Sequence, residues 1–305
     1  ELELKRKAIP TPGYSEVLVK IDAVAICATD LDVISYGPPA LIEGEKPFNK
    51  EFTPGHEYMG TVVALGPSVD EFQIGDRVTV EIHSGCGQCK RCRMGMYTSC
   101  HNYGLNYGKK NKGHRANGFT SDGGFKQYAI NHINTLIKVP DDMTDEEATL
   151  VVTAGTTMYG LIDAKKISMT KSLNVKDEND IVNSVKSLVG DLGVDYVVEC
   201  AGTEKALDDA IMMTNRGGKI CLAAFPHDPI KVNIPHMVIN NIYMYGIRGE
   251  GKSATHRAMA FMKQKRFNAK LVHTHTFKMN ELPTALKYAK ERIDGAIKVV
   301  IKPWK

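Results

Sequence analysis

Four cysteines spaced Cys86-x2-Cys89-x2-Cys92-x7-Cys100 constrain this chain more than any other feature of its 305 residues. Thiolates three apart on a tight loop can converge on one tetrahedral ion, and a fourth from further along closes the shell. Zinc suits four sulfur ligands. A closed shell leaves no position for a substrate, so Cys86, Cys89, Cys92 and Cys100 predict a structural zinc site. The remaining cysteines, Cys27, Cys200 and Cys221, are scattered. An odd total of seven with one tight cluster argues against a disulfide framework and for a reducing, cytoplasmic setting.

The bulk of the chain excludes several classes of function. Its length predicts two domains with sizeable cores. With 39 basic against 35 acidic residues the net charge is only +4, so no nucleic-acid partner is expected. The short basic run Lys109-Lys110-Asn111-Lys112 reads as a solvated loop. The longest apolar stretch, Ala148 to Ala164, is interrupted by four threonines and two glycines. It reads as a buried helix, not a membrane span. No secretory leader is legible at the start of the chain.

The hydrophobic period changes near residue 144. Before it the chain reads as β-rich, with strands at Val17–Ile21, Gly60–Leu65, Val78–Val80 and Lys126–Ile130 and turns at Pro12-Gly13, Gly66-Pro67 and Gly75-Asp76. Thr144-Asp145-Glu146-Glu147 is a helix-start signature, a capping residue followed by an acidic first turn. Beyond it, Val194–Cys200 and Gly218–Ala223 are near-continuous apolar strands of the parallel-sheet kind, joined by a helix at Thr203–Met213. The pair Gly217-Gly218 reads as a turn between that helix and the second strand. Such alternation predicts a doubly wound sheet. The tail reads as a strand from Leu271, a helix over Glu281–Arg292 and a strand over Ala296–Ile301. His273 and His275 share one face of their strand, and two histidines without a third ligand read as a polar face.

Two further pieces carry ligand chemistry. Ile26-Cys27-Ala28-Thr29-Asp30 follows a strand, and Pro54-Gly55-His56-Glu57-Tyr58-Met59-Gly60 leads into the next. A thiolate and an imidazole from two loops can hold a zinc with one position open, as Lewis-acid chemistry requires. Gly55-His56-Glu57 placed roughly 30 residues after Cys27, then a Gly-Asp-Arg-Val turn, then the cysteine lobe, resembles the zinc-containing medium-chain alcohol dehydrogenase family. The resemblance runs from Pro12 to Pro303 and is nearest to the polyol, threonine and butanediol dehydrogenase branch.

The resemblance implies an α/β chain: a GroES-like β-rich catalytic domain, 1–145 with 271–305, and a Rossmann-type doubly wound cofactor domain, 146–270. It implies hydride transfer between a secondary alcohol or polyol and NAD or NADP, a small alcohol or ketone substrate, and a homodimer or homotetramer. Carried over, Cys27 and His56 are the first catalytic-zinc ligands, and Glu57 is a neighbouring carboxylate ligand or near-ligand. Two zinc ions per chain follow. Thr29 is the hydroxyl that starts the proton relay, and Asp30 orients His56. The chain departs from the pattern twice. Asp32 stands where many members have a relay histidine, and the stretch Val151–Thr157 offers no carboxylate or thiol, with Val152 near the usual position of a further ligand.

The cofactor half departs further. No Gly-x-Gly-x-x-Gly follows a strand, and no ribose-reading residue stands about 20 residues later. Roughly 40–50 residues of family pattern, about a βαβ unit with its next strand and helix, are missing between Ala164 and Lys165. The helix Thr156–Ala164 and the segment from Lys165 flank that junction. A sheet deprived of inner strands exposes an apolar edge, so a missing stretch of chain is expected in preference to a natural deletion. The resemblance places the surviving cofactor contacts at Cys200, Ala201 and Gly202, at Ala223, Ala224 and Phe225, and at Ile247 and Arg248. A non-catalytic zinc protein that has lost its cofactor half is the competing reading. A zinc-independent quinone reductase is disfavoured by both cysteine features.

Overall fold

The computed structural model describes residues 2–36, 52–102, 116–152, 171–224, 226, 228–247, 252–264 and 269–305. The basic run at 109–112, the helix expected over 156–164, the junction at 164/165, Phe225 and Arg248 lie outside them. The chain divides into two compact units, Glu1–Gly155 with Gly249–Lys305, and Thr156–Arg248.

The first unit contains the strands β1 Glu16–Ala25, β2 Glu57–Leu65, β3 Arg77–Val80, β4 Tyr128–His132, β5 Leu136–Lys138, β9 His273–Lys278 and β10 Lys298–Lys302. They form a seven-stranded sheet in the order β5-β3-β2-β1-β10-β9, with β4 also paired to β1. β1 organises the sheet. It runs antiparallel to β2, β4 and β10, and register shifts after Leu18 and Ile21 bend it. Such bulges tighten twist, which lets one strand serve three partners. Alternate apolar residues, among them Val17, Val19, Ile21, Val62, Val78, Val80 and Ile301, meet in a single core.

Short helices punctuate this unit: α1 Ala28–Tyr36, α2 Lys90–Arg93 and α3 Asp145–Thr149, then α7 Lys252–Lys263 and α8 Leu282–Glu291. The capping box read at Thr144 is present: its hydroxyl accepts the Glu147 N–H while the Glu147 carboxylate accepts the Thr144 N–H. Arg77 donates to the carbonyls of Pro140 and Met143 and to Asp145, fixing the approach to α3. The tail forms β9, α8 and β10, and Trp304 pins it by donating from Nε1 to the Ile21 carbonyl at 2.8 Å.

The second unit contains α4 Ile181–Val189, β6 Val194–Glu199, α5 Glu204–Met213, β7 Thr214–Leu222, α6 Ile234–Ile239 and β8 Tyr243–Gly246. The strands form a parallel sheet, β6-β7-β8. α5 buries Leu207, Ala210 and Ile211 against Ile220 and Ile242. Gly217-Gly218 corrects the sequence reading: both lie inside β7, at a register shift opposite Val194–Tyr196, with Gly217 at φ +73°. A left-handed glycine here makes a bulge, and the strand continues through it. No helix among the described residues is long and apolar enough to cross a membrane.

Candidate metal centres

The cysteine lobe is held by its own backbone. Cys89 caps α2 with its sulfur accepting the Cys92 N–H. Cys86 Sγ accepts the Cys89 N–H at 3.3 Å and Asn102 Nδ2 at 3.2 Å, and Cys100 Sγ accepts the Asn102 N–H at 3.3 Å. All four sulfurs lie within 4.8 Å of one another. At 3.9 Å, Cys86 and Cys92 are far beyond the ~2.05 Å of a disulfide. Burial pushes the Cys86 thiol up, but N–H donors from Gln88, Cys89 and Asn102 outweigh it and hold it at about 6. Donors of this kind stabilise thiolate, the form that binds metal. The close turn requires Gly85 (φ +56°), where a Cβ would lie 2.7 Å from Cys92 Sγ.

A second cluster forms where β1 ends and β2 begins. Cys27 Sγ, a ring nitrogen of His56 and a carboxylate oxygen of Glu57 lie within 4.8 Å of one another. Asp30, 1% exposed at the start of α1, clamps the two loops together. Its carboxylate accepts the Cys27 N–H at 2.9 Å, the Gly55 N–H at 3.2 Å and His56 Nδ1–H at 3.0 Å. With Nδ1 so engaged, Nε2 is the ring atom left for a metal. Burial pushes the His56 pKa down, and the Asp30 carboxylate more than reverses it, leaving the group well above its usual range. The pocket therefore favours positive charge on this ring, which a cation at Nε2 also supplies. One sulfur, one nitrogen and one oxygen donor with a position to spare fit a zinc of the open kind.

The loop behind His56 is made close by glycine. Gly123, Gly124 and Phe125 donate their N–H groups to the carbonyls of Thr53, Gly55 and Pro54. A Cβ on Gly123 would lie 2.0 Å from the Gly55 oxygen. Thr29 stands at the rim, half-buried, with its hydroxyl 3.7 Å from Cys27 Sγ. Val152 is buried, and its side chain offers no metal ligand.

Two residues of this neighbourhood escape the sequence reading. Phe119 lays its ring on the His56 imidazole at 4.5 Å between centroids. Lys298, in the middle of an apolar stretch, brings Nζ to 2.5 Å from Glu57 Oε2. Burial pushes the Lys298 ammonium down, but the charges of Glu57, Cys27 and Asp30 outweigh it and keep it above the ordinary lysine range. The structure buries this lysine to 9% exposure inside its strand. Among the described residues His273 and His275 join no metal-ligand cluster; His275 packs on Phe277 and Tyr288.

The described residues among the predicted cofactor contacts, Cys200, Ala201, Gly202, Ala223, Ala224 and Ile247, follow the C-terminal ends of the parallel strands, where open α/β sheets bind ligands. Glu199 ends β6 with its side chain accepting the Ala201 and Gly202 N–H groups, while its carbonyl accepts those of Ala223 and Ala224. Ile247 donates to the Leu222 carbonyl, and Cys200 is exposed. These residues fit one flank of a dinucleotide site. The glycine-rich phosphate cradle is not among the 305 residues.

Two family models match in succession: the alcohol dehydrogenase GroES-like domain over residues 13–141 and the zinc-binding dehydrogenase over residues 147–264. The chain belongs to the zinc-containing medium-chain alcohol dehydrogenases, zinc-dependent oxidoreductases that exchange a hydride between an alcohol and NAD(P). It is 27% identical to the sorbitol dehydrogenase of Bacillus subtilis (strain 168), over 99% of this chain and 94% of that one. To an L-threonine 3-dehydrogenase of Pectobacterium carotovorum it is 25% identical, over 89% and 88%. The solved structure of 2R,3R-butanediol dehydrogenase from Bacillus subtilis shares the fold, with a TM-score of 0.83, 20% identity and coverage of 99% and 96%. The sorbitol dehydrogenase alignment extends over 349 positions while using 99% of a 305-residue chain, so about 47 positions have no residue here.

Proposed function

We propose that Cys27, His56 and Glu57 hold a catalytic zinc, that Cys86, Cys89, Cys92 and Cys100 hold a structural one, and that the substrate is a secondary alcohol or polyol. The observation that carries this reading is the Asp30 clamp, which brings a thiol, an imidazole and a carboxylate from two loops to one point. Zinc bound there would supply Lewis acidity toward a hydroxyl or carbonyl oxygen. Asp30 fixes the His56 tautomer and turns Nε2 inward. Phe119 and the glycine-packed loop keep water from the back of the ring. Thr29, at the rim, takes the substrate's hydroxyl proton and hands it toward solvent, with Asp32 in place of a relay histidine. Cys200, Ala201, Gly202, Ala223, Ala224, Phe225, Ile247 and Arg248 would hold NAD or NADP, which would supply the hydride acceptor when bound. The reading assigns the zinc chemistry to 1–145 with 271–305 and the cofactor to 146–270, in a cytoplasmic homodimer or homotetramer.

Similarity to sorbitol, threonine and butanediol dehydrogenases supports the substrate class, since all three names denote secondary or polyhydric alcohols. Elemental analysis of protein purified without chelator should return two zinc ions per chain. His56→Ala should return one, with turnover abolished. Two ions in the variant, or one in the wild type, would sink the two-site assignment. The missing phosphate cradle favours a second reading, a zinc protein without redox activity. Failure of NAD(H) and NADP(H) to bind would select it.

A further inference from the structure

Glu57 pairs with the Lys298 ammonium and also belongs to the cluster proposed to hold zinc. Lys298 sits on β10, 241 positions beyond Glu57, with its side chain 11% exposed and that of Glu57 3% exposed. We infer that Lys298 is a positioning residue that competes with zinc for the Glu57 carboxylate and so keeps the catalytic position open. This rests on the assignment of Cys27, His56 and Glu57 as the zinc site.

The charge count supports it. The Cys27 thiolate and the carboxylates of Asp30 and Glu57 bring three negative charges into one buried place, which a zinc ion alone leaves one short of neutral. The Lys298 ammonium supplies the last positive charge. Buried charges persist only when compensated, so the lysine belongs to the electrostatics of the metal site as much as to the strand.

The ligand count decides how that charge acts. The Val152 side chain offers no ligand atom, so Glu57 is the third ligand within reach of Cys27 and His56 among the described residues. A carboxylate drawn in through both of its oxygens would take the position a substrate oxygen needs, and would leave a buried ammonium without its nearest partner; with one oxygen kept on Lys298, it can bind through the other alone. A carboxylate held by Lys298 leaves that position free. Lysine is suited to this: a compact charge on a flexible stem can follow the carboxylate through a small shift.

Competition gives Lys298→Met a distinctive signature. Removing the ammonium frees Glu57 and removes a positive charge beside the metal, so this site should hold zinc more tightly, by about 10–100-fold, the usual scale for partners of metal ligands. A merely structural lysine predicts the opposite sign. The measurement is chelator competition on the zinc-loaded protein, with the four-cysteine site as an internal control that the substitution leaves unchanged. Cobalt substitution should show an added oxygen donor in Lys298→Met and a wild-type spectrum in Lys298→Arg. The gain in affinity should shrink in Glu57→Gln/Lys298→Met. Lys298→Gln, polar but uncharged, carries the same expectation as Lys298→Met. Zinc held no more tightly in both neutral variants, or failure of both to fold even with zinc, overturns the inference. If His56→Ala still binds two zinc ions, the site assignment itself fails instead.

Discussion

Thr29 and Asp30 are adjacent in the chain and do opposite work. Thr29 is half-buried beside Cys27 and within reach of solvent; Asp30 is sealed and spends its carboxylate on Cys27, Gly55 and His56. Thr29→Ala should lower kcat by roughly 10²–10⁴, the usual worth of a positioned proton transfer, and leave thermal stability unchanged. Thr29→Ser should retain most of the rate; full activity in Thr29→Ala would mean that the proton leaves by another route. Asp30→Ala should instead destabilise the fold by about 3–5 kcal/mol in urea titration, because a buried ion pair loses one member and two loop N–H groups lose their acceptor. A loss below 1 kcal/mol would show that the clamp is dispensable. At this scale the sequence was informative where ligand and partner lie in one short motif, as in Cys27-Ala28-Thr29-Asp30. It was silent on Lys298 and Phe119, whose meaning depends on contacts with Glu57 and His56 made across the fold.

The elements that carry the proposed metal ligands are short, and backbone geometry governs them more than helix or strand propensity does. α2 has only four residues, and the cysteine lobe around it is built from turns whose N–H groups point at sulfur. Gly85 is the tightest point. Gly85→Ala should drive Cβ into the Cys92 sulfur and should strain a left-handed residue. The expected outcome is loss of zinc from this lobe alone and a lower melting temperature, with the Cys27–His56–Glu57 site still loaded. Since structural zinc contributes folding free energy directly, Cys89→Ser should behave alike. A variant that kept both ions at wild-type stability would remove the lobe from the list of staples. The capping box at Thr144 and the parallel strands β6 and β7 were legible because each signal is local. The bulge at Gly217-Gly218 was not, because a glycine pair reads equally as a turn, and only pairing with β6 carries the strand through it.

On the scale of the whole molecule, the second unit is thinner than its sequence pattern asks for. A doubly wound sheet buries its central strands on both faces, yet β6 is only partly buried along most of its length and stands at one edge of a three-stranded sheet among the described residues. α4 has an apolar face and no buried residue; Leu188 and Val189 are 41% and 54% exposed, and Leu192, just beyond the helix, is 77% exposed. Leaving this much apolar surface in water forfeits roughly 25 cal/mol for every Å² that a neighbour would cover. The alignment with sorbitol dehydrogenase supplies the size of the neighbour, about 47 positions without a residue in this chain. At 33.6 kDa for 305 residues, that segment weighs about 5 kDa. The native protein, isolated from its source, should therefore show an intact mass about 5 kDa above 33.6 kDa. Its additional peptides should map between Ala164 and Lys165 and carry a Gly-x-Gly-x-x-Gly turn, whose backbone N–H groups receive the cofactor's pyrophosphate. Hydrogen exchange should then find β6 among the protected strands, since an inner strand opens only with the whole unit. A mass of 33.6 kDa would end this line of reasoning: α4 and β6 would be solvent-facing by nature, and the dinucleotide would have no cradle to bind.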